Sequence, residues 1–399
     1  MRILTLNSGS SSLKAALYQM DTGEARLLSA AVERIGLAGG RIRMDDARGA
    51  TVLDQEAVLT DPGAALRALF DGLRHHGLDQ DLAAIGFRIV QGGSRFSAPQ
   101  RVTPDLVAAL RAMVPLDPDH LPQACASLEA AARRYPDLPQ VACFDTAFHR
   151  HMPWVAQHYA LPRRFAAAGI VRFGFHGLSY ESIVQALRVL DPAAVAGRVV
   201  IAHLGSGASM AAVRGGLAID TSMGFTPLSG LMMGTRCGDL DPGIVLYLLQ
   251  AQGMSPAAVN ALLNQQSGLL GVSEVSADMR DLLHCERTDP RAAEAIARFC
   301  YQARKYLGAY AAALGGLDTL VFTAGIGERA ATIRARICTG MEYLGVLLDE
   351  ARNAGHAPVI SRDGAPVTVR VIPTDEDLMI ARHTRRVIEP KEGADHVDL

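Results

Sequence analysis

The chain has almost no lysine. Of its 39 basic residues, only Lys14, Lys305 and Lys391 are lysines and the rest are arginines. Aromatic residues are scarce at 5%, and the formal net charge is −2. That charge gives no general pull toward nucleic acid or an anionic membrane, so neither is expected as a partner. No uninterrupted apolar run reaches the ~20 residues of a bilayer-spanning helix. The opening Met-Arg-Ile-Leu-Thr-Leu breaks at Asn7, too early for a secretory leader. The cysteines Cys125, Cys143, Cys237, Cys285, Cys300 and Cys338 form no Cys-x-x-Cys pair. Neither a zinc site nor a disulfide framework is predicted, and a reduced, cytoplasmic setting is expected. There is no Gly-x-x-x-x-Gly-Lys-[Ser/Thr]. Gly205-Ser206-Gly207 does not extend to Gly-x-Gly-x-x-Gly, because Met210 stands at the last position. Both facts argue against a P-loop or nicotinamide enzyme.

What is present is core-forming material: 49% hydrophobic and 20% charged residues in 399, enough for two domains. Short apolar runs at Ile3–Leu6, Leu13–Tyr18, Leu82–Val90, Pro139–Phe144, Val199–His203, Met210–Val213, Leu217–Ile219, Leu320–Thr323 and Val367–Ile372 read as strands. Helical periodicity occupies 63–76, 104–114, 290–314 and 376–387. Alternation of the two predicts an α/β fold with a ligand cleft at the carboxyl ends of the strands. A hairpin with a polar tip near residue 10, echoed by a strand, glycine loop and hairpin near residue 205, suggests two similar halves. The expected domains are 1–150 plus 383–399, and 151–382.

Residues 220–242 have neither a helical nor a strand period. Their glycines, prolines and Gly-Asp-Leu-Asp-Pro end predict a loop of fixed shape that presents one cation, Arg236. A guanidinium on a rigid loop suits a phosphoryl group or carboxylate, or else a buried structural ion pair. Three further segments suit phosphate or nucleotide: Asn7-Ser8-Gly9-Ser10-Ser11-Ser12-Leu13-Lys14, His203-Leu204-Gly205-Ser206-Gly207, and Thr323-Ala324-Gly325-Ile326-Gly327-Glu328. Tight strand–helix packing explains the last equally well. Arg88 interrupts a strand, Asp145 follows one, and His176 lies between glycines in Arg-Phe-Gly-Phe-His-Gly. Pro373-Thr374-Asp375-Glu376-Asp377 reads as a capped helix start that could also meet Mg2+.

Together these segments resemble the acetate kinase family, including its relative propionate kinase, from residue 1 to about residue 385. The motifs that carry the resemblance are Asn7–Lys14, Phe144–His149, Phe173–Gly177, Asp220–Pro242, Ser267–Asp281, Phe322–Glu328 and Pro373–Arg382. The resemblance implies a duplicated ribonuclease-H-like fold of the actin and sugar-kinase type, with two domains around a nucleotide cleft, and a homodimer. It implies reversible transfer of the γ-phosphoryl group of ATP to acetate, with propionate or another short acid as alternative acceptor. A catalytically silent nucleotide sensor is the alternative of another class. By the same resemblance Arg88, Asp145, His176 and Arg236 are catalytic. Ser10, Ser12, Lys14, His203, Gly205, Ser206, Gly207, Asp278, Met279, Arg280, Gly325, Ile326 and Gly327 bind nucleotide. Arg88, Val90, Leu116, Phe175 and Pro227 form the acceptor pocket, and Asn7 and Glu376 lie around Mg2+ or Mn2+. This chain departs from the family pattern at Phe87 and Gln91, at Leu116-Asp117-Pro118-Asp119, at Ser206, and at Leu178 and Tyr180.

Overall fold

The computed structural model describes residues 1–9, 12–21, 23–118 and 120–389. Ser10, expected in the first phosphate segment, lies outside the described residues, as does the C-terminal part of the 383–399 segment. The chain divides into two compact units, Met1–Ala147 with Asp375–Leu399, and Phe148–Thr374.

The first unit is built on an eight-stranded sheet. Its strands are β1 (Arg2–Ser8), β2 (Ser12–Gln19), β3 (Ala25–Glu33), β4 (Arg41–Asp46), β5 (Thr51–Glu56), β6 (Leu82–Ile89), β7 (Gln100–Arg101) and β8 (Gln140–Phe144), in the order β5-β4-β3-β2-β1-β6-β8-β7. Strands β1 to β5 pair antiparallel in succession, whereas β1, β6 and β8 run parallel. The parallel strands are almost wholly apolar because both faces are covered. One cover is helix Pro62–His75, where Asp61 caps the Ala64 N–H at 2.9 Å. Proline opens the first turn, and Leu66, Leu69, Phe70 and Leu73 form the buried stripe. Another is helix Glu376–Ile388, which packs on β1, β6 and β8. Gly86 permits that approach, since a Cβ there would collide with Thr384 and Ile380.

The second unit carries a five-stranded sheet: β9 (Arg198–Leu204), β10 (Ala208–Arg214), β11 (Leu217–Thr221), β12 (Thr319–Thr323) and β13 (Thr368–Val371), in the order β11-β10-β9-β12-β13. Gly215 and Gly216, at φ +59° and +79°, make the two-residue turn between β10 and β11 that only such backbone values allow. Helix Pro290–Leu314 spans the residues its periodicity predicts, from the Asp289 cap to left-handed Gly315.

Each sheet contains the same five-strand pattern, three antiparallel strands followed by two parallel ones: β3-β2-β1-β6-β8 in one and β11-β10-β9-β12-β13 in the other. This repetition is the duplicated ribonuclease-H-like architecture. The pattern also puts chemistry at parallel strand ends. Asn7, Arg88 and Asp145 lie at the C-terminal ends of the adjacent strands β1, β6 and β8. His203 lies in register with Thr323 at the ends of β9 and β12.

One expectation needs correction. Strands β3 to β5 are absent from the sequence reading: β3 and β5 mix small, charged and apolar residues without a clean alternation, and the alternation of β4 lasts only from Arg41 to Met44. For the segment after β12, where the sequence left nucleotide contact and strand–helix packing equally open, the structure shows a helix. The chain turns at once into helix Ala324–Arg329, and Gly327 allows close packing on Phe322 and Ala202.

Candidate active site

Four of the expected residues gather in the first unit. The Arg88 guanidinium donates from Nε (3.0 Å) and Nη2 (2.5 Å) to Asp145 Oδ2, and from Nη1 to Asn7 Oδ1 at 3.0 Å. Asn7 Nδ2 in turn donates to Glu376 Oε2 at 3.0 Å. Asp145 is wholly buried and Arg88 is 16% exposed. Burial by itself would lower the guanidinium pKa, but the charges of Asp145 and Glu376 outweigh it and push it above its ordinary value. Arg88 is therefore a permanent cation aimed by a buried carboxylate. Val90 is buried and Leu116 half-buried. Beside Leu116, buried Asp117 accepts from His120 Nδ1 at 2.7 Å and adds to the field at Arg88. Ser12 and exposed Lys14 begin β2, and Lys14 is directly across the ladder from Asn7.

Asp375, Glu376 and Asp377 open helix Glu376–Ile388, Asp375 as its cap. Desolvation, then the neighbouring charges of Glu376 and Asp375, raise the Asp377 carboxyl to about 6. A carboxyl raised in the folded state holds its proton there at a pH where the unfolded chain has lost it. It therefore supports folding fully below pH ~3.8 and loses that support as pH rises through about 6. Asp377→Asn is accordingly expected to raise the melting temperature by about 3 °C at pH 7 in metal-free buffer and to have no effect at pH 4. Thermal melts at the two pH values check this.

The second unit holds the other half of the expected set. His176 has a left-handed backbone (φ +58°) where helix Gly177–Leu190 begins, and the residue is buried. Its Nδ1 meets Ser209 Oγ at 2.8 Å, and its ring stacks on His203 with centroids 4.1 Å apart. His203 Nδ1 meets Ser179 Oγ at 2.8 Å. Arg236 donates from Nη1 to the Pro227 carbonyl at 2.8 Å. Gly207 adjoins two of the expected catalytic residues: a Cβ there would be 3.2 Å from Arg236 Nη2 and 3.3 Å from His176 Nε2. The glycine thus keeps open the space onto which the guanidinium and imidazole face. Gly205 is the corresponding open point beside His203 and Ala324.

The 220–242 loop is rigid for identifiable reasons. Gly230 at φ +96° lies against the Ser222 backbone, where a Cβ would be 2.5 Å from its carbonyl oxygen. Asp239 accepts from the Gly230 N–H (2.8 Å) and from Tyr306 Oη (2.6 Å). Gly234 N–H donates to Ser206 O at 2.9 Å, tying the loop to the second phosphate segment. Arg172 Nη1 gathers the carbonyls of Thr221 and Met223, both at 3.0 Å. Sequence reading missed Arg172, although it opens the Arg-Phe-Gly-Phe-His-Gly run. It also missed Arg334, which is fully buried and donates to the carbonyls of Gly327 (2.9 Å) and Glu328 (2.8 Å). That cation braces the last turn of helix Ala324–Arg329.

The adenosine-side expectations are spread more loosely within this unit. Asp278 caps helix Met279–Cys285 and pairs with Arg280 at 2.5 Å, while Met279 is buried. Gly325 has open space where a side chain would stand, and Ile326 is half-buried. Phe175 is buried, and its carbonyl meets His149 Nε2 at 3.0 Å.

The chain matches the acetokinase family over residues 2–382. It belongs to that family. It is 48% identical over 393 residues to the acetate kinase of Rhodopseudomonas palustris, covering 97% of this chain and 98% of that one. Among solved structures, Porphyromonas gingivalis acetate kinase is similar with a TM-score of 0.87 at 38% identity, over 97% of this chain and 100% of that one. A propionate kinase from Francisella tularensis has a TM-score of 0.90 at 35% identity, over 97% and 99% of the two chains. A place in the acetokinase family agrees with the duplicated fold, with ATP as the nucleotide and with a kinase activity. Among the described residues, no helix is long and apolar enough to cross a membrane.

Proposed function

We propose that this acetokinase family member transfers the γ-phosphoryl group of ATP to acetate, reversibly and in line, giving acetyl phosphate and ADP. The observation that carries the reading is the pairing of Arg236 with His176 around the open face of Gly207. Arg88, held by buried Asp145, supplies the second guanidinium. Phosphoryl transfer leaves the protein mainly positioning and charge stabilisation. An acceptor carboxylate is already ionised at neutral pH, so no strong base is required. Arg88 holds the acceptor carboxylate, and Arg236 and His176 donate to the oxygens of the transferring group. Asp145 orients Arg88.

The acidic corner fits a divalent cation. No cluster of three metal-holding His, Cys, Asp or Glu residues occurs among the described residues. Mg2+ suits such a place, because it takes one or two carboxylates and completes its shell with phosphate oxygens and waters. Glu376, aligned by Asn7, would hold Mg2+ or Mn2+. The cation would supply charge neutralisation of the terminal phosphates.

Propionate is the second acceptor considered, favoured by the likeness to a propionate kinase. Val90, Leu116, Phe175 and Pro227 are proposed as its apolar contacts, and one methylene changes binding by only ~1–3 kcal/mol. Hydroxamate trapping with a series of acids is expected to detect acyl phosphate from both acetate and propionate, with kcat/KM higher for acetate. ATP binding without any acyl phosphate would replace this reading by the silent nucleotide sensor.

A cytoplasmic homodimer is part of the proposal. Helix Pro242–Gln250 has no buried residue and exposes Ile244, Leu246 and Tyr247, an apolar surface suited to a second copy. Light scattering is expected to give a dimer, and Leu246→Glu a monomer.

A further inference from the structure

Behind the His176 ring is a hydrogen-bonded chain that no family motif assigns. Tyr180 Oη meets Ser209 Oγ at 2.5 Å, and Ser209 Oγ meets His176 Nδ1 at 2.8 Å. Tyr180 and Ser209 are completely buried. Both ends of the chain are rigid. Tyr180 is one turn along the helix that His176 opens, and its N–H donates to the His176 carbonyl at 3.0 Å. Ser209 is on β10, in register with His203, the ring against which His176 stacks.

We infer that Ser209, held by Tyr180, is a positioning residue that keeps the His176 proton on Nε2. The inference rests on the reading of His176 as a donor to the phosphoryl group. Phosphoryl oxygens only accept, so a neutral imidazole serves them only through an Nε2–H. Nδ1 must then accept. The serine hydroxyl is the group that donates to it, and its lone pair takes the phenol hydrogen, so all three donors point the same way toward the site. Run in reverse, the chain would turn an Nε2 lone pair on the phosphate oxygens.

The test uses full-length protein, 15N-labelled at histidine and saturated with Mg2+ and a non-hydrolysable ATP analogue. Its NMR spectrum is expected to show His176 protonated at Nε2. In Ser209→Ala the signal is expected to move toward mixed tautomers. The same variant should lose about 10–100-fold in kcat while KM for ATP and acetate changes less than about twofold. Tyr180→Phe should lose less, about 3–10-fold, because the serine keeps its own proton. Wild-type kcat in Ser209→Ala, or an Nε2 without a proton in the unmodified protein, overturns the inference. Wild-type kcat in His176→Ala would instead overturn the assignment of His176 and leave the tautomer result to stand on its own.

Discussion

Arg236→Ala is expected to lower kcat for acyl phosphate formation by about 10²–10³-fold, with the melting temperature almost unchanged. The guanidinium donates to the Pro227 carbonyl, and its loop is anchored by Gly230, Asp239, Arg172 and the Gly234–Ser206 bond. Those anchors remain when the side chain is removed, so the loss should fall on chemistry rather than folding. Arg236→Lys should restore little, because an ammonium cannot reproduce the planar fork that meets two oxygens while holding Pro227. Hydroxamate trapping at saturating ATP and acetate, beside a thermal melt, separates the two effects. A purified Arg236→Ala protein with the turnover of the parent would remove the guanidinium from the reaction.

Asp145→Asn should show the opposite balance, a loss of stability together with a loss of activity. Arg88 directs two N–H groups at one oxygen of a carboxylate with no solvent exposure. Replacing that carboxylate leaves a largely buried cation without the nearest of its counter-charges, a change that costs about 3–5 kcal/mol. The same substitution frees the guanidinium from its aim, so kcat/KM for acetate should fall by about 10²-fold through a higher KM. Arg88→Ala takes the guanidinium away from a buried carboxylate and should also destabilise. The double variant should be destabilised by less than the sum of the two, since either change already breaks the pair. Denaturant titration and acetate kinetics on the three proteins provide the cycle. An Asp145→Asn protein with unchanged acetate KM would show that the carboxylate does not act through Arg88.

Much of the molecule was legible before any coordinates. The parallel strands that carry Asn7, Arg88, Asp145 and His203 are short apolar runs bounded by polar or glycine-rich ends, and they lie where those runs predict, give or take an end residue. Helix Pro290–Leu314 shows its period and both caps. Strands β3 to β5 were illegible because β3 and β5 break the polar/apolar alternation with small and charged residues, and β4 keeps it for only four residues. The turn into helix Ala324–Arg329 was hidden by glycines, which signal a loop and close helix packing equally.

The sequence by itself marked the loops of special backbone shape and the charged residues they offer, because such loops need glycine, proline and aspartate at set positions, and its resemblance to the acetate kinase family implied the reaction class. Only the tertiary structure decided what each charge is bound to. Arg88 takes its direction from a carboxylate on the adjacent strand β8, and His176 is backed by Ser209 and Tyr180. Such pairings join residues far apart in the chain through strand register and burial. The hydrogen bonds that orient a buried ion are set by what packs beside it, and no local spacing records that.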